Sequence, residues 1–244
     1  MGEMPTTKDL MLDLCSVSKT FVARPVLKSV SLAVPEQQAV CLCGVNGAGK
    51  STLLRISAGL LRPDRGHVMI DGHDMRQAPE AAKRRLGMIA HAGMAYPELT
   101  VGENLLFAAK LYGVSHAAER IESLLAATEL ASFRHDRAAI LSRGLLQRLA
   151  IARALMHQPR VLLADEPFTG LDGGAVERLL AIFQEFVRDG GSILMTTHDI
   201  RLGLTCCQRV AVLDRGVLIL DARKDQIEAE RFAEDYLSYA RSLN

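Results

Sequence analysis

A glycine-rich stretch that ends in lysine, serine and threonine has the residue types of a phosphate-binding site. It fits the spacing of a glycine, four further residues and then Gly-Lys-Ser/Thr. The apolar run at 39–43 before it predicts a strand, and the spacing from Ser51 to Gly59 predicts a helix. The residues of this stretch, called the phosphate loop below, are Gly44, Val45, Asn46, Gly47, Ala48, Gly49, Lys50, Ser51 and Thr52.

A glycine-rich turn between a strand and a helix is suited to anions. It points several backbone N–H groups into one concavity, which also faces the positive end of the helix dipole. The pattern predicts that Lys50 reaches the β- and γ-phosphates of a nucleotide and that the Ser51 hydroxyl ligates Mg²⁺. We therefore expect a nucleotide site here; the alternative is a plain glycine turn with a solvated lysine.

Two acidic residues directly follow a second apolar run, at 161–164. In an open parallel sheet, ligands lie at the edge where the strands end. There Asp165 is expected to hold Mg²⁺ together with Ser51, and Glu166 to polarise an attacking water. His198 follows a further apolar run, 192–196, and is predicted to contact the γ-phosphate at the same edge. The alternatives are a solvated acidic turn and a structural histidine.

The rest of the chain supplies the elements that must position these groups. Residues 10–17 and 26–34 alternate apolar and polar positions, as strands do, and Phe21 is predicted to lie in the loop between them. Phe21 is either a small core plug or a platform for a nucleobase. The helical pattern runs from residue 97 to about 156 and predicts a helical insertion in an α/β core, and a charged helix is expected at 224–243.

Composition excludes several classes of protein. The chain of 244 residues has 29 basic and 28 acidic side chains, which gives no electrostatic case for a nucleic-acid partner. We expect no transmembrane segment, because no apolar run reaches about 18 residues, and no secretory leader. The five cysteines lack the spacing of a zinc site and suggest reduced core residues; the alternative is contact of Cys206 and Cys207 with a soft metal or haem.

These motifs together resemble the ATP-binding subunits of ABC transporters, over about residues 10–221. After the phosphate loop, the order of the motifs is similar to that family. The matching segments are Leu141-Ser142-Arg143-Gly144-Leu145 at the signature position, Asp165-Glu166-Pro167, the D-loop Thr169-Gly170-Leu171-Asp172, and His198 as the switch histidine.

The resemblance implies a P-loop NTPase of α/β class, with a RecA-like core, an antiparallel β lobe and an inserted helical subdomain. The expected ATPase domain spans 10–222, with the helical subdomain at about 93–156 and a C-terminal helical tail at 223–244. It further implies ATP and Mg²⁺ as cofactors, and a dimer in which Ser142, Gly144 and Asp172 contact nucleotide.

The family also implies partners and a place in the cell. Integral membrane subunits are expected to carry the transport path, with this chain peripheral on the cytoplasmic face of the inner membrane. Phe21 matches the family's adenine-stacking aromatic. Two departures stand out: Arg143 and Leu145 replace the third and fifth signature residues, and Ala92 stands where the Q-loop glutamine is expected. The Ala92 departure predicts weaker coupling of hydrolysis to transport.

Three short stretches narrow the resemblance further. Residues 141–144, 166–172 and 196–199 are similar to the haem-export ATPases of cytochrome c maturation. The alternatives are an ABC-2-type exporter of lipid, polysaccharide or drug, a soluble cassette ATPase, and a nucleotide-binding regulatory module with little hydrolysis. Against the soluble alternative, the chain has one phosphate loop, no long heptad insertion and no basic surplus.

Overall fold

Two β-sheets and a set of surrounding helices make up the computed structural model, which describes residues 10–90 and 94–242. The strands of the described residues are β1 (Leu10–Phe21), β2 (Arg24–Pro35), β3 (Ala39–Cys43), β4 (Arg65–Ile70), β5 (His73–Asp74), β6 (Leu86–Ile89), β7 (Val161–Asp165), β8 (Ser192–Thr196), β9 (Arg209–Asp214) and β10 (Val217–Arg223). The α-helices are α1 (Lys50–Ser57), α2 (Pro79–Arg84), α3 (Val101–Tyr112), α4 (Ala117–Ala127), α5 (Arg143–Leu155), α6 (Gly173–Arg188), α7 (Ile200–Cys206) and α8 (Ala229–Ser242).

The larger sheet has the order β10-β9-β3-β8-β7-β6, and its strands β3 and β6 to β9 run parallel. Every residue of β3, β7 and β8 is buried. Strands covered on both faces have continuous apolar sequences rather than alternating ones. The strands predicted from the apolar runs at 39–43, 161–164 and 192–196 are therefore confirmed, and the fold is that of a P-loop NTPase with a RecA-like core.

The smaller sheet is antiparallel, with the order β2-β1-β4-β5. Its first strand extends through Phe21, which pairs with Arg24, so the predicted loop position of Phe21 was wrong. Val22 and Ala23 make the two-residue turn with φ of 43° and 64°. Positive φ at both turn residues gives the twist that a tight hairpin needs. Valine and alanine are not typical of such turns, so the sequence does not predict this one.

Helices α3, α4 and α5 are inserted between β6 and β7. Helix α3 begins with a capping box, in which the Thr100 side chain accepts from the Glu103 amide and the Glu103 side chain accepts from the Thr100 amide. The prediction of continuous helix from residue 97 to about 156 was wrong. Gly113 ends α3 with φ of 65°, and the segment 128–142 contains only two short 3-10 turns. Ala92, the Q-loop departure, lies outside the described residues.

The C-terminal segment begins with a 3-10 turn, Lys224–Gln226, rather than with the predicted α-helix. Helix α8 follows, and Ile227 and Phe232 pack against the buried cluster of the larger sheet. Residues 243–244 lie outside the described ranges. Across residues 10–90 and 94–242, each helix is too short or too polar to cross a bilayer.

The β9–β10 hairpin touches the smaller sheet at Gly216, and this contact predicts a stability effect. Gly216 has φ of 81°, and a Cβ there would lie 2.3 Å from the Val26 carbonyl oxygen. Gly72 has φ of 76° with no atom within 4 Å of a built Cβ. Because both glycines share the backbone penalty, Gly216→Ala is expected to lower the free energy of unfolding by about 2 kcal/mol more than Gly72→Ala. Denaturant unfolding of both variants measures the difference, and equal losses would contradict this packing.

Candidate functional site

The phosphate loop joins the end of β3 to the start of α1. Asn46 and Gly47 are exposed at its tip, whereas Ala48 and Gly49 are buried. Gly49 precedes the helix in a left-handed conformation with φ of 110°, and the Leu53 amide donates to its carbonyl at 2.9 Å. The loop therefore turns sharply into the helix, and the free N–H groups of the first helical turn face the concavity.

Residues of β2 and of the β9–β10 hairpin pack closely against this loop. The Gly216 amide donates to the Ala48 carbonyl oxygen at 3.1 Å. A Cβ on Gly44 would lie 2.4 Å from the Leu213 carbonyl oxygen, and one on Gly49 would lie 2.9 Å from a Leu27 methyl. Glycine is thus needed at 44 and 49 for close approach of other chain segments, in addition to any approach of a ligand.

Lys50 lies over the concavity of the loop. Its Nζ donates to the carbonyl oxygens of Gly44, at 2.6 Å, and Val45, at 3.2 Å. Burial lowers the pKa of Lys50, and the carboxylates of Glu166 and Asp165 act in the opposite direction. A partly desolvated cation next to a row of amides is the electrostatic environment that phosphate oxygens prefer.

Ser51 and Asp165 meet across the site. The Ser51 hydroxyl donates to Asp165 Oδ1 at 3.3 Å, and the Thr196 hydroxyl donates to the same oxygen at 2.7 Å. A hydroxyl and a carboxylate at one point are the hard oxygen ligands that Mg²⁺ takes beside nucleotide phosphates, so these residues fit that cation. Among residues 10–90 and 94–242, no cluster of three or more His, Cys, Asp or Glu side chains is arranged to hold a metal ion.

Glu166 and His198 are in direct contact. His198 Nδ1 lies 2.7 Å from Glu166 Oε2, and the His198 amide donates to the same oxygen at 3.2 Å. The Glu166 amide donates to the carbonyl and hydroxyl oxygens of Thr196, each at 3.2 Å. Glu166 has φ of 53°, a strained conformation for a side chain with a Cβ. The neighbouring strand therefore holds the carboxylate at the sheet edge, beside Lys50 and Asp165.

The signature and D-loop residues lie together but elsewhere. Within the described part of the chain, the Ser142 and Asp172 side chains accept hydrogen bonds from amides of their own helices rather than from the phosphate loop: from Leu145 at 3.3 Å and from Ala175 at 2.8 Å. Asp172 also forms a 4.0 Å ion pair with Arg148 of α5. Gly144 is close to the D-loop, since a Cβ on it would lie 3.4 Å from the Gly170 carbonyl oxygen. The structure therefore does not bring these three predicted nucleotide contacts to the loop of the same chain.

Arg143, the unusual signature residue, packs on the D-loop. A Cβ built on Gly170 would lie 3.0 to 3.2 Å from Cδ, Nε and Cγ of Arg143. Helix α5 is also tied to the acidic segment, because the buried Gln147 side chain donates to the Pro167 carbonyl oxygen at 2.9 Å. The signature helix and the residues after Glu166 thus form one connected surface.

The exposure of the Phe21 ring and the burial of two cysteines bear on roles that the sequence left open. Phe21 is 43% exposed, with Lys19 Nζ 5.5 Å from its ring centre, so it is not a core plug. Cys206 and Cys207 are buried and form no disulfide, so their thiols are not exposed to a haem or a metal ion at the surface. The nucleobase-platform role of Phe21 stays a prediction.

Thr196 is the site residue that sequence reasoning missed. It bonds both to Asp165 and to the Glu166 amide, and it faces Asp165 in the register of β7 and β8. The only sequence signal is its position at the end of an apolar strand, two residues before His198. That position does not show which residue of the neighbouring strand lies opposite Thr196.

A family model described as ABC transporter matches residues 27–169, more than half of the chain. The chain is 34% identical over 223 residues to the Nod factor export ATP-binding protein I of Bradyrhizobium diazoefficiens, covering 90% of this chain and 72% of that protein. It is 37% identical over 242 residues to the methionine import ATP-binding protein MetN of Chromohalobacter salexigens, with 93% and 70% covered.

A solved structure described as a dimeric post-hydrolysis state of the ATP-binding cassette MJ0796, bound to ADP and Pi, superposes with a TM-score of 0.82 at 28% identity. The match covers 88% of this chain and 99% of that chain. The likeness thus extends over nearly the whole of both chains.

The Thr196 contact predicts a change in cation dependence. Thr196→Val keeps the shape of the side chain and removes the hydroxyl that orients Asp165. We expect the Mg²⁺ concentration for half-maximal nucleotide binding to rise about tenfold, because a residue that orients a metal ligand typically changes metal affinity by 10- to 100-fold. A Mg²⁺ titration of nucleotide binding measures this. An unchanged Mg²⁺ dependence would show that Asp165 needs no such support.

Proposed function

Since the chain belongs to the ABC transporter family, as an ATP-binding subunit with ATPase activity, we propose that it powers export through separate membrane subunits. The observation that supports this most is the convergence of Lys50, Ser51, Asp165 and Glu166 at one sheet edge, where they provide anion, cation and water sites.

Each of these residues has a role in the proposed hydrolysis. Lys50 exchanges its bonds to the loop carbonyls for phosphate oxygens, while Ser51 and Asp165 hold Mg²⁺. Mg²⁺ held by these two residues would neutralise charge that develops on the phosphates. Glu166 polarises the water that attacks the γ-phosphate in line, and His198 fixes the Glu166 carboxylate through the 2.7 Å contact.

A second copy of an ATPase cassette completes the site in this proposal. Ser142 and Asp172 are exposed, and both lie at helix N-termini whose amides attract anions. The Ser142 side chain bonds only within its own helix, and Asp172 adds only a 4.0 Å ion pair with Arg148, so both exposed side chains are available to a nucleotide held on another chain. The dimeric ATP-binding cassette found among the solved structures supports this arrangement.

An apolar groove between the sheet core and the helical insertion is the proposed contact for a membrane subunit. It has a volume of about 340 Å³. Several large apolar side chains on it are 41 to 66% exposed, namely Leu60, Met94, Tyr96, Phe107 and Leu111. Arg153 lies 5.5 Å from the Tyr96 ring centre and adds a half-buried cation. An apolar groove with one cation fits an amphipathic helix that carries an acidic residue.

We propose export as the direction and haem as the cargo to test first, on the three stretches that resemble haem-export ATPases. The similar proteins include subunits named for export and for import, so their names do not decide the direction. All three stretches lie in the proposed hydrolysis site or the signature, and none is proposed to contact the cargo. An ABC-2-type exporter is therefore the alternative. In this proposal the chain binds its membrane partners and lies peripherally on the cytoplasmic face of the inner membrane, where ATP is available.

Glu166 is expected to separate hydrolysis from binding. Glu166→Gln removes the carboxylate charge and keeps the shape, so it should lower ATP turnover by at least about 100-fold, as loss of a general base does. ATP affinity should stay within about twofold because the phosphate loop is untouched. Turnover and equilibrium ATP binding of the same preparation give the two values. Retention of more than a tenth of the turnover would exclude Glu166 as the water-polarising group.

The groove predicts which surface binds the membrane partner. Leu111→Asp puts a charge into it, and Ile219→Asp changes a similarly exposed side chain on β10, outside it. In mild-detergent purification from native membranes, followed by mass spectrometry and a haem absorbance scan, wild type and Ile219→Asp should retain multi-span partners, and Leu111→Asp should lose at least about nine-tenths of them.

Haem absorbance that follows the partners would support haem export, whereas partners without haem would point to another exporter. Equal retention by both variants would contradict the groove assignment, and the absence of any membrane partner would contradict the exporter proposal.

A further inference from the structure

The last helix of the described chain contacts the phosphate loop. The Gly44 amide donates a 2.9 Å hydrogen bond to the Tyr236 hydroxyl oxygen, across 192 residues of sequence. Tyr236 is 9% exposed, and Gly44 is buried. A buried backbone N–H needs a partner, and at this position the partner comes from a side chain of α8 rather than from a neighbouring strand.

The chemistry of Tyr236 suits it to a fixed acceptor role. Burial, followed by the nearby Cys43 thiol, raises the pKa of Tyr236 to about 12. The hydroxyl is therefore neutral near pH 7 and accepts the amide proton through an oxygen lone pair. The Tyr236 ring is held in place by packing, since it stacks near Phe232, with ring centres 6.3 Å apart, and belongs to the buried cluster of the larger sheet.

Gly44 is placed so that this bond affects the catalytic lysine. Its N–H goes to Tyr236 and its carbonyl oxygen accepts from Lys50 Nζ at 2.6 Å. The orientation of Gly44 therefore helps to determine where the lysine cation lies. Helix α8 also packs beside α7, which begins two residues after His198, and Ala233 shares a buried cluster with Ile200 of α7.

We propose that Tyr236 is a positioning residue for the phosphate loop, so that nucleotide affinity depends on the C-terminal helix. The hydroxyl holds the first residue of the loop and thereby keeps the amides and Lys50 in the arrangement that receives phosphates. This inference rests on the nucleotide-binding role of residues 44–52. It goes beyond that role by making α8, distant in sequence from every predicted site residue, part of the nucleotide site.

The test is Tyr236→Phe in the full chain. Phenylalanine keeps the ring that packs α8 and removes only the oxygen that accepts the Gly44 amide. We expect the Kd values for ADP and for ATP to rise about tenfold, because an unsatisfied buried amide favours loop conformations that bind phosphates poorly. Isothermal titration well below the unfolding midpoint gives the affinities, and hydrogen exchange of the Gly44 amide should become faster.

Thr128→Val is the matched control. It removes another buried hydroxyl, whose O–H donates to the Leu124 carbonyl oxygen at 2.7 Å within the helical insertion. A purely structural role of Tyr236 would lower the unfolding midpoint of both variants and leave both Kd values at the wild-type level. That result, or wild-type protection of the Gly44 amide in Tyr236→Phe, would overturn the proposal.

Lys50→Ala separates this inference from the nucleotide site itself. If Lys50→Ala weakens binding and Tyr236→Phe does not, the loop binds nucleotide without help from Tyr236 and the inference is wrong. If neither variant changes the Kd of wild type, the phosphate loop is not the nucleotide site, and both assignments are wrong. Weakening by both, with Thr128→Val unchanged, supports the positioning role.

Discussion

The phosphate loop can turn its free amides inward only while its other backbone groups are satisfied, and the structure shows where those partners come from. The Ala48 carbonyl is bonded by the Gly216 amide of the β9–β10 hairpin, and the Val45 carbonyl by the Ala48 amide. The Gly44 amide is bonded by Tyr236 of the last helix. Because unpaired buried backbone groups are costly, these distant segments determine the shape of a loop of nine residues.

The order of the parallel strands supplies the rest of the site. Strand β8 lies between β3 and β7, and its register sets Thr196 opposite Asp165. The same strand end then delivers His198 to the Glu166 carboxylate. The left-handed backbone at Glu166 is maintained by bonds from its amide to Thr196, so local strain is balanced by pairing with the central strand. Three strand ends thus bring together the predicted anion site, the predicted cation site and the Glu166 carboxylate.

Much of this arrangement could be predicted from the sequence, because it depends on local signals. The spacing of the phosphate loop, the apolar runs before Asp165 and His198, and the capping box at Thr100 each specify a short element. Thr196 and Tyr236 could not be predicted in the same way, since strand register and helix docking depend on contacts between distant segments. The tight hairpin beside Phe21 was missed because Val22 and Ala23 rarely adopt positive φ.

ATP turnover in the proposed function requires a site shared between two cassettes, because Ser142, Gly144 and Asp172 lie apart from the phosphate loop of their own chain. Mixing two inactive chains tests this most directly. A Lys50→Ala chain keeps its signature, and a Gly144→Asp chain keeps its phosphate loop, so a mixed dimer has one intact composite site. We predict little ATP turnover from either chain alone and a clear recovery on mixing, greatest near equal amounts. Turnover of the mixture that only equals the sum of the separate chains would contradict a shared site.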